Sequence, residues 1–323
     1  MAVTIKEVAK YAGVGVGTVS RVINGEKGVN DETRALILNA IKELNYSPNQ
    51  MAVKLRKNKN KIIALLIPII DHPFFAKLAY YAEDEADKFG YSVLLVSSQH
   101  RICKESEILS RIYRREVDGA IFVTHYEHDK EEIKNCPIVS IDRRINDDIP
   151  YVTSDNYEAS KKAIEYMISC GCKKIGYLGS KPLVDSDVML RFNAYKDVTT
   201  EKGLEQFIVN EVIAHGEESK VVTEFLDKFP EVDGVFVSGY TMAQALCQKA
   251  IKRGLKIPNE LQIVSYDGSF NQWNGGLDLT CIEQNVEEMA REVVRLLVKK
   301  LSNESTPLRT VINTSFVIGE TTK

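Results

Sequence analysis

Apolar residues at helical spacing divide the first 45 positions of the chain into three short helices. In the first, Thr4 and Glu7 have the spacing of a capping box. The apolar residues that then recur on one face are Ile5, Val8, Ala9 and Ala12. A second apolar stripe starts at Val16, and a third helix is predicted for residues 31–44 with Asn30 as its cap. Three such helices can share a small common core.

From Ile62 onward, the pattern changes to short, continuous apolar runs. The first four runs are IIALLIP, YSVLLVS, DGAIFVT and PIVSID. Helical sequence lies between them, for example at 74–89 and 104–115. This alternation predicts an α/β fold with a parallel sheet covered on both faces. Near the end of the chain, residues 308–317 predict one closing strand.

The α/β pattern occurs twice along the chain. Asn60-Lys-Ile-Ile-Ala-Leu is echoed by Lys173-Lys-Ile-Gly-Tyr-Leu, and Glu116-Val-Asp-Gly by Glu231-Val-Asp-Gly. Two similar lobes create a cleft at the carboxyl ends of their strands, where open sheets bind ligands. The body is therefore expected to hold a small ligand between two lobes.

The distribution of charge distinguishes the first 61 residues, here called the head, from the rest of the chain, called the body. Residues 1–61 hold eleven Lys or Arg and five Asp or Glu, a net charge of +6, whereas the remainder carries a net charge of −9. A polyanion attracts the first part and repels the second. A basic cluster is usually a solvated surface, but one that coincides with a helix-turn-helix indicates nucleic-acid binding.

The composition excludes several classes of protein. No run of about 18 apolar residues is present, so no membrane span is expected. The sequence begins directly with the capped helix, which leaves no room for a signal peptide. The six cysteines are scattered, and the one close pair, Cys170 and Cys172, lacks the spacing of a metal finger. A reducing cytoplasm, with no metal and no cofactor, is expected.

The second helix carries polar side chains on the face opposite its apolar stripe. These outward residues are Thr18, Ser20, Arg21 and Asn24. Hydroxyls, an amide and a guanidinium suit a helix laid in the DNA major groove. On this stretch alone, an ordinary pair of α-helices remains an equal alternative. The Gly13-Val-Gly15-Val-Gly17 run resembles a dinucleotide fingerprint, but Thr18 replaces the third glycine and a helix precedes it.

A basic segment connects the head to the body. Its positive charges are Lys54, Arg56, Lys57, Lys59 and Lys61. Met51, Ala52 and Leu55 at helical spacing form an apolar edge that is too short to be stable alone. The segment is expected to fold only against a partner, namely DNA and its own symmetry mate.

Over nearly its whole length, the chain resembles transcription regulators of the lactose-repressor and galactose-repressor family. The residues that carry the resemblance are Thr4–Ala9, Ala12–Val14, Thr18–Asn24, Val29, Glu32–Arg34, Leu44–Asn49, Pro73–Phe75, Val117–Gly119, Ile141–Arg143, Ser154–Asn156 and Val264–Asp267. The resemblance implies a helix-turn-helix head and a two-lobed, parallel-sheet body like that of periplasmic binding proteins. It also implies a homodimer that grips a palindromic operator in double-stranded DNA and responds to a small effector in the body.

Carried over from the family, the second helix becomes the recognition helix. Val16 and Gly17 match positions that choose bases, and Arg21 matches one that contacts a base edge. Gly15 replaces the usual serine, which puts one phosphate contact in doubt. The resemblance makes Leu55 the residue that wedges between central base pairs. The full set of expected DNA-binding residues is Thr4, Val16, Gly17, Thr18, Ser20, Arg21, Asn24, Asn49, Ala52, Leu55 and Arg56.

The resemblance also implies an effector site between the lobes. Its expected residues are Asp71, Phe74, Asp142, Arg191, Tyr240, Asp267 and Trp273. Carboxylates and a guanidinium around an aromatic ring suit a polyhydroxylated ligand, because each hydroxyl needs a polar partner once water is displaced. Asp142 and Asp267 are equally typical of turn caps, and Trp273 of a buried core. The Gly239-Tyr240 pair departs from a frequent Asn-Asp pair, which leaves the ligand class open.

These patterns predict three regions. The helix-turn-helix domain is expected at 1–47, a hinge helix or linker at 48–60, and the effector-binding and dimerisation domain at 61–323. Within the last, one lobe is expected at about 61–155 and 285–310 and the other at about 156–284 and 311–323. The chain lacks the leucine-heptad tail that makes some relatives tetramers, so a dimer is expected.

The favoured function is a DNA-binding repressor of carbohydrate genes that responds to a sugar or sugar phosphate. A purine-responsive or phosphoprotein-responsive regulator of the same family remains an alternative. An enzyme is disfavoured because no phosphate loop, triad spacing or metal-ligand pattern is found, and Asp118 and Asp233 lie in repeated turns where a structural role explains them better. A plain solute-binding module is disfavoured by the basic head.

Overall fold

A computed structural model describes residues 3–46, 60–99, 101–123, 126–268 and 277–323. The chain divides into two compact units, Met1–Asn60 and Lys61–Lys323. None of the helices within the described residues has the length and apolar run that a bilayer span requires. The predicted hinge segment at 48–60 lies outside the described residues except for Asn60.

Three helices form the first unit: α1 (Ile5–Ala12), α2 (Val16–Ile23) and α3 (Asp31–Glu43). The predicted caps are confirmed. The backbone N–H of Thr4 donates to the Glu7 carboxylate at 2.6 Å, and the Asn30 side chain accepts from the N–H of Thr33 at 2.8 Å. Gly13 ends α1 in the left-handed region with φ of 67°, which a glycine adopts without strain. The buried core of this unit is Val8, Ala9, Val19, Val22, Ile37 and Ala40.

The second unit contains two six-stranded sheets with helices on both faces, so the predicted α/β class is confirmed. Its strands are β1 (Ile62–Ile67), β2 (Ser92–Ser97), β3 (Gly119–Phe122), β4 (Ile138–Ile141), β5 (Tyr151–Ser154), β6 (Ile175–Ser180), β7 (Phe207–Glu211), β8 (Gly234–Val237), β9 (Gln262–Tyr266), β10 (Thr280–Glu283), β11 (Arg309–Ile312) and β12 (Ser315–Val317). Its helices are α4 (Pro73–Lys88), α5 (Ile102–Tyr113), α6 (Lys130–Ile133), α7 (Asn156–Ser169), α8 (Met189–Glu201), α9 (Glu218–Lys228), α10 (Tyr240–Lys252) and α11 (Val286–Leu301).

The two sheets repeat one strand order. The N-lobe sheet runs β2-β1-β3-β4-β5-β11, and the C-lobe sheet runs β7-β6-β8-β9-β10-β12. All neighbours are parallel except β10 and β12, which are antiparallel. Strand β4 is therefore the counterpart of β9. Residues that follow these two strands lie at equivalent places in the two lobes.

The closing strand predicted at 308–317 is two strands in two different sheets. Strand β11 pairs with β5 in the N-lobe, and β12 pairs with β10 in the C-lobe. The chain changes lobe between them, where the N–H of Thr314 donates to the Asp155 carboxylate at 2.9 Å. The polar residues Asn313, Thr314 and Ser315 interrupt the apolar pattern at this point, but such an interruption does not show that the chain moves to another sheet. The N-lobe sheet thus includes Arg309–Ile312 as its edge strand.

The repeated Val-Asp-Gly turn holds neighbouring strands together. The Asp233 carboxylate accepts backbone N–H groups from Lys173 and Lys174 at 2.9 to 3.1 Å, and Asp118 accepts the N–H of Ile62 at 3.1 Å. The glycine that follows removes a side chain from a crowded position. A Cβ on Gly234 would lie 2.8 Å from a cysteine sulfur of the same lobe. The predicted structural role of this repeat is confirmed.

Replacing Asp233 with alanine is expected to lower the free energy of unfolding by about 2–3 kcal/mol, because backbone N–H groups lose a charged acceptor. Urea unfolding followed by circular dichroism measures this loss. The matched control is Glu231→Ala, an exposed acid two residues earlier in the same turn. If both variants unfold at the wild-type urea concentration, Asp233 does not tie the two strands together.

Candidate functional site

The first candidate site is the outward face of α2. Val19 and Val22 are buried in the three-helix core, whereas Val16 is 40 % exposed and Gly17 and Arg21 are also exposed. Thr18 and Ser20 are half-buried, and Thr4 and Asn24 are exposed. Apart from Thr4, which caps α1, the predicted residues of this head thus lie on α2 or at its C-terminal end. A helix with this face free can enter a major groove.

The start of α2 carries no side-chain cap. Gly15 occupies the capping position with φ of −69° and ψ of 147°, and its carbonyl accepts the N–H of Thr18 at 2.9 Å. The N–H groups of the first turn are therefore left without a side-chain acceptor at the capping residue. Such groups, together with the positive end of the helix dipole, bind phosphate. Gly15 therefore leaves these backbone N–H groups, rather than a serine hydroxyl, at the start of the helix.

Four predicted DNA-binding residues belong to the segment that connects the head to the body. These residues are Asn49, Ala52, Leu55 and Arg56, and they lie outside the described residues. Their expected roles in the hinge stay predictions.

The second candidate site is a cavity of about 320 Å³ in the body, at the carboxyl ends of strands from both sheets. The loop that follows β6, residues 181–188, forms much of one wall. Five of the predicted effector residues line the cavity: Phe74, Asp142, Arg191, Tyr240 and Asp267. The fold therefore brings together side chains that lie far apart in the sequence, in a place where parallel sheets bind ligands.

The two carboxylates of the cavity occupy equivalent positions in the two lobes. Asp142 follows β4 directly, and Asp267 follows β9. Both have left-handed backbones, with φ of 58° and 64°. Residues other than glycine adopt this conformation rarely, although aspartate is among those that tolerate it best. Such backbone outliers cluster at functional sites.

Arg191 lies in the same cavity with only 6 % of its surface exposed. Its Nε donates to the Asn156 side chain at 2.7 Å, and its Nη1 donates to the Ser238 carbonyl at 2.9 Å. The guanidinium carbon lies 3.4 Å from the centre of the Tyr266 ring, a cation–π contact. The planar group is thus fixed on two edges and one face.

Hydrogen bonds also fix the carboxylates. The side-chain amide of Gln284 donates to both oxygens of Asp267, at 3.1 and 2.9 Å, and its own oxygen accepts the Ser154 hydroxyl at 2.8 Å. Thr153 donates to Asp142 at 3.0 Å. These bonds leave each acid in one orientation before any ligand arrives.

Burial raises the pKa of both carboxyls. The pKa of Asp267 rises to about 6, because desolvation outweighs the nearby Arg191 charge and the Gln284 hydrogen bonds. Desolvation also raises the pKa of Asp142, while Arg191 and Thr153 act in the opposite direction. The site therefore holds two desolvated acids around one guanidinium, and a ligand rich in hydroxyl groups can satisfy their remaining lone pairs.

Two predicted effector residues are not placed in the cavity. The Asp71 side chain is 71 % exposed and lies 3.6 Å from the His215 ring instead, because it precedes the turn into α4 and faces outward. Trp273 lies outside the described residues. Tyr240 and Phe74 line the cavity but also belong to the cores of their lobes.

Sequence reasoning did not single out several polar residues of this site. They are His72, Asn156, Ser238 and Gln284. Ser238 follows β8, and Gln284 follows β10. A search for polar residues immediately after each predicted strand would have found both, because those positions meet at one edge of a parallel sheet.

Comparison with known proteins adds a second line of observation. Residues 4–49 match the model for bacterial regulatory proteins of the lacI family, and residues 164–322 match that for a periplasmic binding protein-like domain. A ribose operon repressor of Halalkalibacterium halodurans is 37 % identical over 99 % of this chain and 97 % of its own length. A ribose operon repressor of Bacillus subtilis is 34 % identical over 91 % of this chain and 90 % of its own.

Among solved structures, a lac repressor dimer bound to operator and the anti-inducer ONPF has a TM-score of 0.86 and 21 % identity. The alignment covers 99 % of both chains. At this identity, the likeness shows the shared fold alone.

Replacing Asp267 with asparagine is expected to stabilise the folded protein above about pH 6, by up to about 3 kcal/mol. A carboxyl whose pKa is higher in the folded state than the ordinary 3.8 is costly to ionise, so its destabilising effect grows between about pH 4 and about pH 6 and levels off above that. The gain from asparagine should disappear below about pH 4. Urea titrations at several pH values measure the gain, with exposed Asp71→Asn as the control. A gain that does not change with pH would contradict the assigned desolvation.

Proposed function

The chain belongs to the lacI family of bacterial regulatory proteins, and we propose that it represses a sugar-utilisation operon under the control of a pentose such as ribose. It is a DNA-binding transcription regulator rather than an enzyme. Its affinity for operator DNA changes when the sugar occupies the cavity between the two lobes.

One observation carries the proposed sugar effector. A buried guanidinium, Arg191, stands among carboxylates from both lobes inside a cavity of about 320 Å³. This volume lies at the small end of the range of about 300–1,000 Å³ for ligand sites. Acceptors, a guanidinium and an aromatic wall in so small a space suit a monosaccharide.

The charges favour a free sugar over a sugar phosphate. Asp142 and Asp267 already surround Arg191, so a phosphate dianion would meet two acids in a desolvated space. Burying an unpaired charge is costly, whereas neutral hydroxyls can donate to the carboxylates and accept from the guanidinium. Lys181 lines the cavity but is exposed at its rim.

The relatives support the choice of ribose. Two ribose operon repressors are 37 % and 34 % identical over at least nine-tenths of the chain. Identity at this level over both head and body makes a related operon and a related sugar the leading proposal. A purine or phosphoprotein response is not favoured by these relatives.

The head supplies the DNA contacts in this proposal. The exposed side of α2, with Val16, Gly17 and Arg21, enters the major groove, and neighbouring hydroxyls and amides hold phosphates. Two heads in a homodimer match the two halves of a palindromic operator, as in the operator-bound lac repressor dimer of the same fold. A regulator that binds chromosomal DNA acts in the cytoplasm.

Ribose at a hundredfold excess over its dissociation constant is expected to stabilise the wild type by about 2.7 kcal/mol, seen as a higher melting temperature. Arg191→Lys keeps the charge but loses the planar fork over Tyr266, so the shift should be lost. Arg114→Ala, an exposed arginine outside the cavity, is the control and should retain it. A gel-shift titration with and without ribose then tests the link to DNA. The proposal fails if ribose neither raises the melting temperature nor changes DNA affinity.

Replacing Arg21 with alanine is expected to cost about 1–3 kcal/mol at one base position in each half-site. The loss of a bidentate contact should relax sequence preference there. Selection from a randomised duplex library, with wild type and variant side by side, measures this preference. Lys42→Ala, an exposed change on α3, serves as the control. An unchanged selected sequence would remove Arg21 from base recognition.

A further inference from the structure

His72 has two roles in the structure, at the start of α4 and in the wall of the cavity. Pro73 occupies the first turn of that helix and has no N–H to satisfy. The next N–H, that of Phe74, donates to Nδ1 of the His72 ring at 3.3 Å. The imidazole therefore caps the helix as an acceptor, in the way that serine or asparagine commonly does.

This hydrogen bond decides which ring nitrogen carries the proton. A nitrogen that accepts a hydrogen bond has no hydrogen of its own, so the neutral ring holds its proton on Nε2. Within the described part of the chain, Nε2 has no hydrogen-bond partner. The ring packs against Phe75, with centroids 5.1 Å apart, and both residues line the cavity. Nε2–H is thus available as a donor to a ligand.

The ionisable neighbours of His72 come from both lobes. Asp71 precedes it, while His215 and Glu218 approach from the C-lobe. His215 lies 3.6 Å from the Asp71 carboxylate and 3.8 Å from that of Glu218. The other ionisable groups that share the cavity wall are Asp142, Lys181, Arg191, Glu218, Tyr240 and Asp267.

Protonation of His72 conflicts with its place in the fold. Burial lowers the pKa of the imidazole, and His215 acts in the same direction, while Asp71 and Glu218 oppose them. A second proton on Nδ1 would face the N–H of Phe74 and add a positive charge to the positive end of the helix dipole. The neutral ring is therefore the form that the closed site accommodates.

We propose that His72 is a specificity-determining residue of the effector site, which donates its Nε2–H to an oxygen of the bound sugar in a tautomer set by the helix cap. This inference rests on the proposed sugar effector. A fixed donor at this point selects ligands that present an acceptor oxygen to the N-lobe wall.

The tautomer can be tested without any ligand. Long-range ¹H–¹⁵N NMR of the full chain, labelled at its five histidines, reports which ring nitrogen carries the proton, and His72→Gln assigns the signal. We expect the Nε2–H form at neutral pH. A ring protonated on Nδ1 would overturn the proposal.

Matched variants then separate the cap from the donor, with D-ribose as the probe in calorimetric titrations. Asparagine is a good helix cap but does not reach as far as Nε2, so His72→Asn should bind about three- to tenfold more weakly. Glutamine extends an N–H toward the position of Nε2, so His72→Gln should stay within about threefold of wild type at about pH 8. Equal affinities for wild type and His72→Asn would refute the donor role.

These measurements distinguish the two proposals. Should neither wild type nor any variant bind ribose, the sugar proposal fails, while the NMR spectrum still decides the tautomer. Should both variants bind ribose as tightly as wild type does, the assignment of His72 fails and the proposed function stands.

Discussion

The effector site depends on the accommodation of one buried positive charge. A guanidinium removed from water is costly unless its donors are used and opposite charges lie close. Arg191 meets this requirement through Asn156, the Ser238 carbonyl, the Tyr266 ring and two nearby acids. Asp142 belongs to one lobe and Asp267 to the other. The positive charge of Arg191 attracts both carboxylates and so draws the two lobes together. The electrostatics of the cleft therefore favour a closed arrangement of the lobes.

Repetition of one α/β unit explains why the two lobes place an aspartate at equivalent positions of the cleft. Strands β4 and β9 hold the same place in their sheets, and each is followed at once by an aspartate with a left-handed backbone. The two acids thus face one cavity from opposite sides. The helices and remaining wall residues differ between the lobes, and so does the last strand, which is parallel in one sheet and antiparallel in the other. A near-symmetric scaffold thereby holds an asymmetric ligand site.

Elements with strong local signals were predictable from the sequence, whereas contacts set by topology were not. The caps at Thr4 and Asn30 and the alternating strands and helices follow from short-range patterns. The division of 308–317 between two sheets does not, because the polar residues at 313–315 do not reveal which sheet each half joins. Among the residues of the effector site, Arg191, Asp142 and Asp267 were predicted from the family resemblance. Gln284 and Ser238 were not predicted as site residues, because their proximity to these three residues depends on strand order rather than on sequence spacing.

The interleaving of the lobes constrains the order in which the protein can be assembled during translation. The N-lobe needs helix 286–301 in its core and strand 309–312 at its sheet edge, although its first strand begins at Ile62. Its sheet therefore stays incomplete on the ribosome until almost the whole chain has emerged, while the three-helix head relies on contacts among the first 46 residues. Such long-range closure slows folding and leaves an unfinished sheet edge exposed in the nascent chain. A translating ribosome would thus present a folded head well before a body able to sense sugar.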